Sequence, residues 1–370
     1  GIMEFRAERG DFLATLYWTQ GVVERRNTMP ILANVLIEAS KSDVRLTATD
    51  LEVGVRGRLD AEVSGEGTIT VNAKKLYEIV REAPEETLQL KRLENDWLEI
   101  KSGKSVFKIV GMEAREFPQF PKFEKEQLST VPANLLREMI EQTIFSVSVD
   151  ETRYSLNGVF VEEAGSGKIR MVATDGHRLA LIEREIGSLN LDKGVILPRK
   201  GLAEVRKLLE GGGDGVVSMG FRENMGLIVK DDVELFMRLI EGDFPDYTKV
   251  IPKDNTQVVR IEKDELLHAL RRVSILSSER YKGIKMELKQ GKLSISASNP
   301  DLGEAVEEID MDYQGKSLVV GFNARYLLDV LTVLETGGEV EISFKDALSP
   351  SLLKKGGDDG YLYVVMPMRL

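Results

Sequence analysis

Apolar and polar residues alternate over "VRLTATDLEVGVRGRL" from Val44, a period of two that predicts a pair of strands turning at Thr49-Asp50. The figure returns in "IRMVATDGHRLALIER" from Ile169 and in "KLSISASNPDLGEAVEEI" from Lys292, with Thr174-Asp175 and Ser298-Asn299 at the matching turn. A second pattern changes period midway. "ITVNAKKLYEIVREA", "VILPRKGLAEVRKLLE" and "LVVGFNARYLLDVLTVLE" each pass from strand-like alternation to a helical spacing of apolar residues, and Leu76, Leu202 and Leu327 align within them. An amphipathic helix is also expected early in each block, over "GDFLATLYWTQGVVE", "PANLLREMIEQTIFSVS" and "KDELLHALRRVSILSS". Each block is expected to close on a strand finishing in an aromatic residue or methionine with proline: "REFPQF", "GDFPDY" and "VVMPMRL".

The blocks recur about every 125 residues, well outside the spacing of roughly 20 to 50 that marks solenoids and propellers. The chain therefore reads as a triplicated α+β domain, each copy with two helices on one face of an antiparallel sheet. The expected domains are residues 1–126, 127–252 and 253–370, joined by short polar linkers near 124–129 and 252–255. At 370 residues, 42% hydrophobic and 30% charged, the chain has material for several cores. It has no cysteine, so disulfides and thiolate metal sites are excluded. No charged-then-apolar leader is found, nor an apolar run near the ~18 residues of a membrane helix, and a cytoplasmic location is expected without membrane association.

A net charge of −11 argues against a protein that simply coats nucleic acid. The charge is segregated, however. "PRKGLAEVRKLL" sets Arg199, Lys200, Arg206 and Lys207 against Glu204 alone, and "KDELLHALRRVSILSSERYK" sets Lys263, Arg271, Arg272, Arg280 and Lys282 against Asp264, Glu265 and Glu279. Basic helices on an acidic chain are the distribution expected if one helical surface faces phosphate, with a set of solvated helix faces as the alternative. With two helices per domain spaced ~10 Å apart around an inner wall, three domains leave a hole of roughly 9 Å, whereas six leave roughly 28 Å. Duplex DNA would pass only through the larger. Two chains joined head to tail would supply six domains, and "KSGKSVFK" (three lysines, no acid) in the first unit complements "DLGEAVEEIDMD" (six acids, no base) in the third.

The stretch "MVATDGHRLALIE" raises a separate possibility, because His177 is one of two histidines and follows Asp175 by two positions. An Asp-Gly step between alternating strands is a hairpin signal, since glycine accepts the positive φ of a tight turn. Acid and base catalysis by the pair, a polar turn at the mouth of a binding groove, and a plain turn all remain open. No strained nucleophile motif accompanies the pair, and no further ligands at metal spacing are present; no cofactor is expected. The other two units carry Asp50-Leu51-Glu52 and Asn299-Pro300-Asp301 at this place, so the middle unit has acquired something of its own.

Together, "NTMPILANVLIEA", "TATDLE", "RYSLNGVF", "VATDGHRLA", "LPRKGL", "GDFPDY" and "VVMPMRL" resemble the bacterial sliding clamps, the beta-subunit family of DNA polymerase III, over essentially the whole chain. The resemblance implies a non-enzymatic homodimeric ring of six similar domains threaded on duplex DNA. It implies partners that dock through short linear motifs: the polymerase alpha subunit, the clamp loader, translesion polymerases and repair factors. Their cleft, between the second and third domains, would comprise Leu156, Thr174, Gly176, His177, Arg178 and Leu179. Pro245 and Val250 would join from the linker, Leu348 and Pro350 from "ALSPSLLKKGGDDG", which reads as a long loop, and Val364, Met366, Pro367, Met368, Arg369 and Leu370 from the C-terminus. DNA contact would fall to Arg26, Arg153, Tyr154 and Lys200, with Arg199, Arg206 and Lys207 added from helix charge. At the ring joint Lys75, Phe107 and Ile109 would face Ile275 and Leu276. A methionine-rich apolar surface suits recognition of several peptides.

Overall fold

A computed structural model describes residues 2–23, 29–210, 215–277 and 283–370. Arg26, Arg280 and Lys282 lie outside the described residues. In the first repeat β1 (Glu4–Glu8) leads into α1 (Arg9–Gln20), then β2 (Asn34–Ser40), β3 (Asp43–Thr49), β4 (Val53–Asp60), β5 (Glu62–Gly65) and β6 (Gly67–Asn72). α2 (Ala73–Glu82) follows, with β7 (Thr87–Arg92), β8 (Leu98–Ser102), β9 (Ser105–Ile109) and the short β10 (Gly111–Met112). The second repeat holds β11 (Ser129–Pro132), α3 (Ala133–Glu141), β12 (Gly158–Gly165), β13 (Lys168–Thr174), β14 (Arg178–Glu185) and β15 (Val195–Pro198). It continues through α4 (Arg199–Leu209), β16 (Val216–Arg222), β17 (Met225–Lys230) and β18 (Val233–Arg238). The third runs β19 (Gln257–Glu262), α5 (Lys263–Ser274), β20 (Gly283–Lys289), β21 (Lys292–Asn299), β22 (Gly303–Asp310) and β23 (Leu318–Asn323). α6 (Ala324–Val333), β24 (Glu339–Phe344), β25 (Ser351–Lys355) and β26 (Tyr361–Val365) end it.

The expected strand pairs and strand-to-helix passages form in all three repeats, and the aligned Leu76, Leu202 and Leu327 are all buried. Where a strand hands over to its helix, Asn72 and Asn323 cap the first turn by accepting from the backbone N–H of Lys75 (2.9 Å) and Arg325 (3.0 Å). Ala73, Leu76 and Val80 of α2 then fall on one face and pack into a core with Phe5, Phe12, Leu16 and Ile37.

The sheets do not follow the repeats one to one. Contacts divide the chain into two compact units, Gly1–Asn134 with Lys200–Leu239, and Leu135–Arg199 with Ile240–Leu370. The first holds a five-stranded sheet, β5-β1-β7-β8-β9, and a nine-stranded one, β10-β6-β2-β3-β4-β18-β17-β16-β11. The second holds an eight-stranded sheet, β15-β12-β13-β14-β26-β25-β24-β19, and a four-stranded one, β22-β21-β20-β23. Thus β4 of the first repeat pairs with β18 of the second, and β14 of the second with β26 of the third. A single sheet per repeat would leave those edges bare; pairing across the joint satisfies their backbone groups.

Two further expectations are corrected. "REFPQF" and "GDFPDY" are not strands: the ladder stops at Met112 and Arg238, and proline with short 3₁₀ turns at Ala114–Glu116 and Tyr247–Lys249 takes over. "ALSPSLLKKGGDDG" is not one long loop either, because β25 lies inside it and pairs with both β24 and β26.

Candidate functional site

The turn between β13 and β14 is built from its own side chains. Thr174 donates through Oγ1 to the Arg178 carbonyl (2.7 Å) and accepts from the Gly176 N–H (3.1 Å). Asp175 Oδ1 accepts from the N–H groups of His177 (2.9 Å) and Arg178 (3.1 Å). Gly176 sits at φ +88°, as the Asp-Gly step requires. Thr49, Asp50 and Leu51 repeat the scheme in the first repeat, bond for bond.

What the middle repeat adds is Arg178, only 8% exposed. Its Nε donates to Asp175 Oδ2 (2.8 Å), one terminal nitrogen to Asp329 Oδ2 on α6 (2.8 Å), and the other to the Phe145 carbonyl (2.9 Å). Its guanidinium lies 4.6 Å from the centre of the Tyr326 ring, on which His177 also stacks at 5.9 Å. Asp175 is therefore engaged through both oxygens by turn N–H groups and an arginine, and His177 is placed as a flat rim group over Tyr326. That arrangement is a hairpin turn closed by its own side chains and tied to α6.

A buried apolar cluster lies beside this turn, within the same compact unit. Val172, Leu179, Tyr247 and Val364 are buried together, with Phe160, Phe244, Ile251, Leu352 and Leu362 packed against them. The Phe160 and Phe244 rings stack at 4.9 Å and 4°. Leu156 is likewise buried and Thr174 half-buried, whereas Pro245, Val250, Met366, Met368, Arg369 and Leu370 are exposed and Pro367 is half-buried. The C-terminal stretch is held at both ends: Met366 N–H donates to the His177 carbonyl (2.9 Å) and Met368 N–H to that of Gly321 in β23 (2.8 Å). Leu370 lies against the bare face of Gly321, where any side chain would collide with it. Leu348 is exposed, and Pro350 is pinned through its carbonyl by Asn255 (3.1 Å). Beside the buried cluster, Arg170 ties Glu183, Glu162 and the Tyr247 hydroxyl, which itself donates to Glu162. Burial, then the Glu162 hydrogen bond, push the Tyr247 phenol up to about 12.

The residues expected to meet DNA divide by environment. Arg153, Tyr154 and Arg199 are exposed, Arg153 donating to the Asp175 carbonyl (3.3 Å). Lys200 turns inward to Asp50 and the Val22 carbonyl, Lys207 pairs with Glu204 (3.2 Å), and Arg206 is half-buried. At the expected ring joint, Lys75 is exposed and pairs with Glu78 (3.3 Å), while Phe107 and Ile109 lean on the first core. Ile275 is 74% exposed and Leu276 half-buried. β9 and β22 are each the last strand of their sheet.

Comparison with known families matches residues 3–121 to the DNA polymerase III beta subunit N-terminal domain, 130–246 to its central domain and 248–369 to its C-terminal domain. The chain belongs to the DNA polymerase III beta-subunit family. It is 39% identical to the beta sliding clamp of Pseudomonas putida over the full length of both chains. The beta clamp of Bartonella birtlesii, solved bound to griselimycin, superposes with a TM-score of 0.95 at 35% identity, and that of Caulobacter crescentus with 0.91 at 38%, each covering all of both chains. The chain is accordingly a sliding clamp of DNA polymerase III, a ring-type processivity factor and not a catalyst. Among the described residues no metal-holding cluster occurs, and no helix is long and apolar enough to cross a membrane. Packed against the expected cleft residues, and not named among them from the sequence, are Val172, Phe160, Phe244, Tyr247 and Tyr326. The signal was present for two of them, because "GDFPDY" supplies Phe244 and Tyr247 beside the chosen Pro245.

Proposed function

We propose that two copies of this chain close head to tail into a ring around duplex DNA, and that the apolar floor beside His177 receives linear motifs of the polymerase alpha subunit, the clamp loader, translesion polymerases and repair factors. The working domains are residues 1–126, 127–252 and 253–370, in the cytoplasm. The observation that carries the ring is the strand pairing inside one chain. β4 and β14 occupy matching places in their repeats and each takes a strand of the following repeat, β18 or β26. β22 is the third such strand, and β9 matches β18 and β26; both are unpaired edges. The one arrangement that repeats the two internal joints sets β22 of one copy against β9 of the next, with Ile275 and Leu276 meeting Phe107, Ile109 and Lys75.

The exposed Arg153, Tyr154 and Arg199 give few phosphate contacts, which suits sliding, since retention then comes from topology and not from grip. The cleft joins a buried floor, Leu179 and Val364, to a flexible rim, Met366 and Met368, which lets unlike motifs settle. Ring loaded onto nicked circular DNA should leave within minutes of linearisation while persisting on the circle, as followed by gel filtration of the complex. Equal retention on both forms would overturn the topological reading.

A further inference from the structure

We propose that Asp329, on α6 outside the cleft, is a positioning residue for peptide docking that acts through Arg178; this rests on the cleft reading above. The middle hairpin shares its backbone scheme with the first, where Val53 stands in place of Arg178 and the turn holds without any arginine. Arg178 is therefore not needed to make the turn. Its three donors run instead to three separate elements: the turn itself through Asp175, α6 through Asp329, and the segment after α3 through the Phe145 carbonyl. With the Tyr326 ring in contact with both Arg178 and His177, the guanidinium ties the hairpin tip to α6. His177 in turn holds Met366 through its carbonyl, so the chain of contacts runs Asp329, Arg178, the tip, and the methionine rim. A guanidinium this buried needs its carboxylates, and removing one leaves it free to tilt towards the other. The tip would then lose its fixed height above the floor made by Leu179 and Val364. Arg178, though drawn from sequence as a wall of the cleft, works mainly by holding that wall still.

The test uses the full-length clamp and a fluorescent peptide copying the clamp-binding segment of the polymerase alpha subunit. Asp329→Asn should weaken the peptide about ten-fold, Asp329→Glu should recover most of the loss, and Asp329→Asn added to Arg178→Met should weaken it no further than Arg178→Met alone. Additive losses, or an Asp329→Asn affinity within two-fold of wild type while Met366→Asp abolishes binding, would overturn the proposal and leave the cleft reading in place. Unchanged binding by Met366→Asp would instead remove the cleft reading itself. Should Asp329→Asn fold poorly by circular dichroism, the Asp329→Ala and Arg178→Met pair carries the same cycle, and additivity there is equally decisive.

Discussion

Leu51, Gly176 and Pro300 stand at one position of the three hairpin turns, and each solves the same backbone demand differently. Leu51 accepts φ +79° and Gly176 φ +88°, the first at a steric cost offset by its N–H bond to Thr49 and by the Glu52 and Val53 N–H bonds to Asp50. Pro300 cannot adopt a positive φ, so the third hairpin is re-cut and Gly303 takes φ +132° opposite Asn299. Single residues also make the buried cluster around Leu179 and Val364 sensitive to pH. Tyr247 is raised to about 12, by burial first and the Glu162 bond second, so its neutral form is favoured in the folded chain. The stabilisation is complete below the ordinary tyrosine value of ~10 and is lost as pH climbs through the folded value. Thermal melting of wild type should therefore fall between pH 10 and 12 relative to Tyr247→Phe, by about 1–2 kcal/mol. Parallel curves for the two proteins across that window would refute the assignment.

At the scale of elements, the linker after the first repeat is pinned and not loose. Phe120 meets Phe236 edge-on at 6.2 Å and lies 4.4 Å beneath the Arg56 guanidinium, which itself bridges to Glu234 (2.9 Å) across the β4–β18 pair. Phe120→Ala should lower stability by about 2–3 kcal/mol, seen as a shift in urea midpoint of the transition that includes the first repeat. An unchanged midpoint would mean the linker packs without holding. This element was legible only as a segment with aromatic and proline residues, read as a strand, because alternation along "REFPQF" says nothing about which neighbour the rings meet. Hairpins and strand-to-helix passages were legible, since their periods and turn residues are local. Sheet membership was not: whether β4 ends a sheet or joins β18 depends on an edge some 175 residues away. The packing around the proposed cleft was half legible for the same reason: Leu179 and Val364, both named from the resemblance, share one buried cluster, while Asp329 and Tyr326 enter through long-range contact with Arg178.

For the whole molecule, two joints between repeats lie within one chain and carry a continuous ladder, so the proposed ring of two chains would be weakest at the proposed joint of β9 with β22. The Arg56–Glu234 bridge shows that such a ladder tolerates a charge pair across it. In the proposed joint the polarity is reversed: Lys104 and Lys108 are exposed on or beside β9, and Glu304 and Glu308 on β22. Exposed pairs are individually weak and screened by salt, so their sum sets partner choice more than strength. Ile275→Ala with Leu276→Ala should give monomers at any salt concentration. Reversing Lys104 and Lys108 to glutamate should weaken dimerisation about ten-fold or more, and reversing Glu304 and Glu308 to lysine should do likewise. Mixed one to one, the two reversed chains have a way out. One joint of their heterodimer would bring the glutamates of the first onto the lysines of the second, and the other joint would be native. Sedimentation should show two-chain particles in the mixture at concentrations where each variant alone is a monomer. A mixture that stays monomeric would place the contact between copies somewhere other than these two edges.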